Sequence, residues 1–156
     1  MAISPYIAEL RELIGTRMLL VPCACVIPRD DHGRILLVRQ VQHGKWETIG
    51  GSIEPDESPD EAAIREAKEE ASIDVELRLL TVLGGAEYNV TYANGDRCQC
   101  VSAVYEARII GGTPAPDQDE TDEVRWFSRD ELETDPDIGN FCRTTLRALG
   151  YVRSAT

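Results

Sequence analysis

Apolar residues recur along the chain with two periods, one near 3.6 residues and one of 2, and the changes of period mark out the elements. Ile7, Leu10, Leu13 and Ile14 stand at helical spacing behind Ser4-Pro5, which reads as a capped amphipathic helix ended by Gly15. Residues 19–27 and 35–39 are rich in β-formers, and Asp31-His32-Gly33 between them suits a hairpin turn. A third strand pattern covers 74–83, with Val75, Leu77, Leu79 and Val82 as its apolar members. Asn94-Gly95, the strongest short hairpin signal in the chain, separates strand segments at 88–92 and 99–110. Residues 111–117 form a Gly/Pro loop, continued by an acidic stretch to Glu123 and a short strand at 124–127. Ser128 with Glu131 makes a capping box for a short helix, and 138–149 reads as a closing helix ended by Gly150. Strands outnumber helices and hairpins mix with helices, which predicts an α+β fold arranged as an α/β/α sandwich.

The 156 residues suit a single domain over 1–156, with the helix of residues 1–16 as an extension. Sixteen Lys and Arg against 28 Asp and Glu give 16 − 28 = −12. That balance argues against capture of nucleic-acid backbones, which rests on clustered cations. It leaves room for a small phosphorylated ligand, because a divalent metal reconciles an acidic protein with an anion. No apolar run is long enough to span a membrane and no signal peptide is visible, so the expected location is the cytoplasm. Four of the five cysteines fall as Cys23-Ala24-Cys25 and Cys98-Gln99-Cys100. The spacing is short for a Cys₄ zinc site, and core residues in a reducing compartment are expected instead. His32 and His43 lie in loops without partners at ligand spacing.

One segment, residues 50–73, carries chemistry. Ser58 and Glu61 are placed to cap each other with Pro59 at the first helical position, so a helix is predicted over about 59–71. At about 100° per residue, Glu70 lies about +40° and Glu69 about −60° from Glu66, while Ala67, Ala71 and Ile64 fall on the side that can pack on a sheet. Three carboxylates on one arc repel, and Arg65, four residues from both Glu61 and Glu69, offsets only part of that. Hard oxygen ligands so grouped suit Mg²⁺ or Mn²⁺; a solvated acidic helix is the other reading of the spacing.

The same segment resembles the Nudix box, Gly-x₅-Glu-x₇-Arg-Glu-U-x-Glu-Glu-x-Gly-U with U a bulky aliphatic. Gly51, Glu57, Arg65, Glu66, Glu69, Glu70 and Ile73 fall in register over residues 51–73. Trp46 before Gly50-Gly51 and the Val124-Arg125-Trp126-Phe127 segment are usual in that family. Ser72 stands where the box has glycine, Ala67 replaces its bulky aliphatic, and Thr48-Ile49 replaces a frequent Leu-Pro. The resemblance, to MutT-like and ADP-ribose pyrophosphatase-like hydrolases, implies an α/β/α sandwich with a mixed central sheet. It also implies a cytoplasmic metal-dependent hydrolase that splits a nucleoside diphosphate from a linked moiety X. ADP-ribose or nucleotide-sugar cleavage and nucleoside triphosphate hydrolysis both remain open, as does a nucleotide sensor of weak activity. By the same resemblance Glu66, Glu69 and Glu70, with the carbonyl of Gly50, would hold Mg²⁺ or Mn²⁺, and Arg65 and Glu57 would orient them. Glu66, Glu69 or Glu120 would act as base. Arg39 and Trp46 are candidate substrate contacts, as are Tyr88 and Tyr92 for stacking on a base. The expected partner is a small nucleotide-derived substrate, and a homodimer is compatible with the resemblance.

Overall fold

The computed structural model describes residues 3–154. In chain order its elements are α1 (Pro5–Ile14), β1 (Leu19–Pro28), β2 (Ile35–Gln40), β3 (Trp46–Glu47), β4 (Ile49–Ser52), α2 (Pro59–Ala71), β5 (Ile73–Leu83), β6 (Asn89–Thr91), β7 (Arg97–Gly112), β8 (Thr121–Phe127), α3 (Arg129–Thr134) and α4 (Asn140–Ala148). Strands β4, β1, β7 and β5 lie side by side in one sheet, with β6 on the start of β7; β3, β2 and β8 form a second. The first sheet is mixed, because β1 and β7 run parallel while their other neighbours are antiparallel.

Two strands run apolar almost throughout because both their faces are covered. Ala24 and Val26 of β1 and Leu36 and Val38 of β2 point into a core closed by the alanines of α2. Their neighbours Cys25, Ile27, Ile35 and Leu37 point the other way, into a core closed by Leu132 of α3 and by Cys142 and Leu146 of α4. This alternation produces the expected α/β/α sandwich. A third, smaller core of Val21, Cys23, Tyr88, Cys98 and Cys100 is covered by Ile7 of α1. All five cysteines are buried and free.

The structure corrects several element expectations. β5 carries one extra residue, Leu80, between Leu79 and Thr81, which shifts its alternation before Val82; of the apolar members expected in this strand, Leu79 and Val82 are exposed. The 88–92 segment divides into a 3₁₀ turn, Ala86–Tyr88, and the short β6. β7 continues to Gly112 into the expected loop, and β8 begins three residues early, at Thr121. The closing helix starts at Asn140, because Ile138 bridges to Trp46 and joins the core.

Helix α2 ends as its sequence forces it to. Ser72 sits in the left-handed region (φ 58°, ψ 31°), and its amide bonds back to the carbonyls of Ala67 and Lys68. A serine there carries a steric cost that glycine does not. Ser72→Gly is therefore expected to stabilise the protein by up to about 1 kcal/mol, read as a rise in melting temperature.

Candidate active site

The position of every acid on α2 follows from how the helix starts. The Ser58 hydroxyl accepts from the Glu61 amide (3.2 Å) while the Glu61 carboxylate accepts from the Ser58 amide (2.8 Å). From that fixed start the buried arc runs Ala62, Glu66, Glu70, Ala63, Ala67, Ala71, about 180° of helix surface. Glu66 and Glu70 thus lie inside the packed face, and Glu69 lies beside it with its side chain 57% exposed. Ile64, expected on the packed side, falls just past the arc and is 48% exposed.

Alanines bring the helix close to β4, and two glycines complete the approach. A Cβ on Gly51 would overlap the Glu66 carboxylate, and one on Gly50 would overlap the Ala24 carbonyl oxygen. The Gly50 amide donates to Glu70 Oε2 (3.1 Å), and the Gln40 side chain donates to Glu70 Oε1 (3.2 Å). Glu70 is 1% exposed, and burial followed by the charge of Glu66 pushes its carboxyl up to about 8. Burial raises Glu66 as well, against the opposing pull of Arg65.

Arg65 is the cation of the cluster. Its guanidinium forms a two-point pair with Glu57 (2.8 and 3.1 Å) and donates to Glu66 (2.8 Å), Glu69 (3.2 Å) and the Ser52 carbonyl (3.1 Å). That pair holds the Glu57 carboxyl below its ordinary range. Glu57 in turn accepts from the Glu54 amide, which closes the loop between β4 and α2.

A second acidic element faces α2. Asp117 Oδ1 accepts from the amides of Asp119, Glu120 and Thr121, while the Thr121 hydroxyl donates to the Glu70 carbonyl (2.8 Å). The Glu120 carbonyl accepts from the Val41 amide. Glu120 is thereby fixed from both sides, and its charge acts on both Glu66 and Glu70. Its neighbours Asp122 and Glu123 are instead paired with Arg39, at 2.7 and 2.9 Å.

Trp46, a candidate substrate contact in the sequence, is a core residue. It is 5% exposed and stands edge-on to Phe127 with ring centroids 5.0 Å apart, because β3 turns it under the sheet. Arg39 lies over that ring, held by its two carboxylates. Tyr88 is also buried, against Phe141, whereas Tyr92 reaches a cavity. That cavity, of about 360 Å³, opens beside Gly50, Gly51 and Glu70 and runs to Tyr92 and Phe141. On its wall stands Glu47, whose carboxylate accepts from the Cys142 amide (2.9 Å) and caps α4 in place of the side chain Gly139 lacks. Burial pushes Glu47 up to about 7. Nothing local in the sequence singles out Glu47 or Gln40, since their partners lie 95 and 30 residues away.

The description of the NUDIX domain matches residues 19–148. A MutT-like protein of Streptomyces ambofaciens is 32% identical over 127 residues, covering 81% of this chain and 75% of that one. The chain belongs to the Nudix hydrolase family. An NAD-capped RNA hydrolase of Vibrio atlanticus is 29% identical over 80% of the chain, which spans 43% of that longer protein. The structure of a MutT Nudix hydrolase from Burkholderia pseudomallei superposes with a TM-score of 0.68 at 28% identity, covering 83% of this chain and 97% of that one.

Nudix hydrolases act on phosphoanhydride bonds and generally use divalent metals. Among the described residues no three acidic, cysteine or histidine side chains stand grouped as a finished metal cage. In this Nudix hydrolase Arg65 serves as the counter-cation of Glu66 and Glu69. The donor set nevertheless fits a hard divalent ion: Glu66, Glu69 and Glu70 offer carboxylate oxygens, and Glu70 is a buried acid whose two hydrogen-bond partners are neutral amides. No described helix is long and apolar enough to cross a membrane.

Proposed function

We propose that the protein hydrolyses a nucleoside diphosphate linked to a second moiety X, by attack of water on phosphorus, with Glu66, Glu69, Glu70 and the Gly50 carbonyl holding Mg²⁺ or Mn²⁺. The observation that carries this reading is Glu70, a carboxylate buried between two neutral amides and directed at the cavity that starts at Gly50. Bound there, the metal would neutralise the diphosphate and lower the pKa of a coordinated water. Arg65 and Glu57 set the orientation of the carboxylates through the two-point pair. Gly51 gives Glu66 the room its position requires.

Glu120 is the proposed base. Its backbone is clamped by Asp117 and Val41, and its charge is felt by Glu66 and Glu70 from a loop outside α2. Glu120→Gln is expected to lower kcat by roughly 10²-fold with an unchanged melting temperature. Asp119→Asn and Glu123→Gln, run in parallel, are expected to stay within about twofold of the parent. Equal small losses in all three would move the base to Glu66 or Glu69.

A screen with Mg²⁺ and Mn²⁺ across nucleotide sugars, dinucleoside polyphosphates and nucleoside triphosphates, with the phosphomonoester and pyrophosphate products separated and identified, tests the reaction itself. Turnover of at least one class supports the reading. Binding without turnover in every class would make the protein a nucleotide sensor.

A further inference from the structure

A second cavity of about 360 Å³ lies under α1, and the first residue of the matched domain, Leu19, comes after that helix. The two cavities share Cys23, Gln42, Tyr92, Ala93 and Cys100, so they form one cleft with two chambers. Both chambers open on β4: the first at Gly50 and Gly51, the second at Ser52. The strand segment between them is the one against which Glu66, Glu70 and Arg65 are set.

The roof of the second chamber is fixed in place. Ser4 caps α1 by accepting from the Ile7 amide, and Gly15 ends it. Arg11 then locks the helix to the β6–β7 hairpin. Its guanidinium donates to the carbonyls of Gly15, Arg17 and Arg97 and stands 3.7 Å from Asp96. Ile7 reaches down onto the small core beneath.

The lining chemistry selects the occupant. Ile3, Ile7, Val21 and the thiols of Cys23, Cys98 and Cys100 make apolar walls, with Tyr92 and Asn94 at the rim shared with the hairpin. Among the described residues no lysine lines the chamber, Asp96 adds a negative charge, and Arg11 is already engaged by three carbonyls and a carboxylate. A third phosphate would enter without a cation and beside an acid, whereas an uncharged flat ring would bury apolar surface at no such cost.

We infer that α1 is a specificity element that roofs a second subsite, and that the cleft takes a nucleoside on each side of a diphosphate rather than a nucleoside triphosphate. This rests on the proposed function for the position of the diphosphate at β4. Each chamber falls within the volume range of small-ligand pockets, which begins at roughly 300 Å³.

The test is calorimetry with Ca²⁺ in place of Mg²⁺, using the dinucleoside diphosphates of adenosine and of uridine, each beside its nucleoside diphosphate and triphosphate. Product formation is checked on the same samples. For at least one base, the two-ended ligand is expected to bind about tenfold or more tightly than the one-ended ligands. Ile7→Trp, which fills the chamber from the roof, and Val21→Phe, which fills it from the floor, should each remove that advantage and leave one-ended binding within about twofold. Melting temperatures establish which variants are folded, and either one alone decides the outcome. Equal binding of one- and two-ended ligands by the parent, or an advantage that survives filling in a folded variant, overturns the inference. A loss of both kinds of binding in a folded variant also overturns it. Failure of every probe to bind the parent would instead overturn the reading of the cleft as a nucleotide site.

Discussion

Replacing Glu70 by Gln is expected to cut turnover by about 10²-fold or more and, in the metal-free protein, to raise stability at alkaline pH. The shape is kept: a glutamine can still accept from the Gly50 amide, and Gln40 can turn its own amide to meet the new NH₂ group. Removing the charge changes both activity and stability. The folded-state pKa of Glu70, about 8, lies above its ordinary 4.5, so its favourable contribution is complete below about pH 4.5 and lost as pH rises through 8. Above that range the buried carboxylate opposes folding by an amount on the order of a few kcal/mol, which glutamine does not carry. Melts in EDTA at pH 5 and pH 9 check the stability half, and steady-state rates with Mg²⁺ check the other. A group that weakens the fold and is needed for turnover is kept for chemistry. A variant less stable at both pH values would make Glu70 a structural residue.

The two adjacent glycines should fail in opposite ways when changed to alanine. At Gly50 (φ 154°) the new Cβ meets the Ala24 carbonyl, which is backbone within the β1–β4 ladder and has nowhere to go. Gly50→Ala should therefore cost about 3 kcal/mol of stability, visible as a large fall in melting temperature or in soluble yield. At Gly51 the Cβ meets the end of the Glu66 side chain, which can rotate away. Gly51→Ala should melt close to the parent yet lose about 10²-fold in kcat/KM, because an acid displaced by about 1 Å no longer meets its partners. If Gly51→Ala were as active as the parent, the placement of Glu66 would not matter to the reaction.

Much of the site could be read from the chain because its parts are local. The capping pair Ser58–Glu61, the span of α2 and the carboxylates on its surface all depend on spacings of a few residues. The left-handed Ser72 was legible for the same reason. Longer-range features were not legible. Whether the carboxylates lay inside or outside the packed arc depended on which alanines met the sheet, and Ala62 and Ala63 pulled that arc over Glu66 and Glu70. Trp46 stands beside the box as a candidate substrate contact, but strand pairing with Arg39 and the edge contact with Phe127 bury it. The extra residue Leu80 shifts the alternation of β5 before Val82, which is exposed, and such a bulge leaves no mark in a pattern of apolar residues. Glu47 supports α4 from another element altogether, so only the folded chain reveals it.

The most direct measurement is the rate of hydrolysis of a nucleoside diphosphate linked to X as a function of free Mg²⁺ or Mn²⁺, in the parent and in Glu70→Gln, with products identified by mass. The account predicts no turnover in excess EDTA, a rate that rises and saturates with metal in the parent, and products that each carry one of the two bridging phosphates. Glu70→Gln should stay about 10²-fold or more below the parent at saturating metal. Undiminished turnover in EDTA, or a Glu70→Gln rate equal to that of the parent, would contradict the assignment of the α2 carboxylates as a metal-dependent hydrolytic centre.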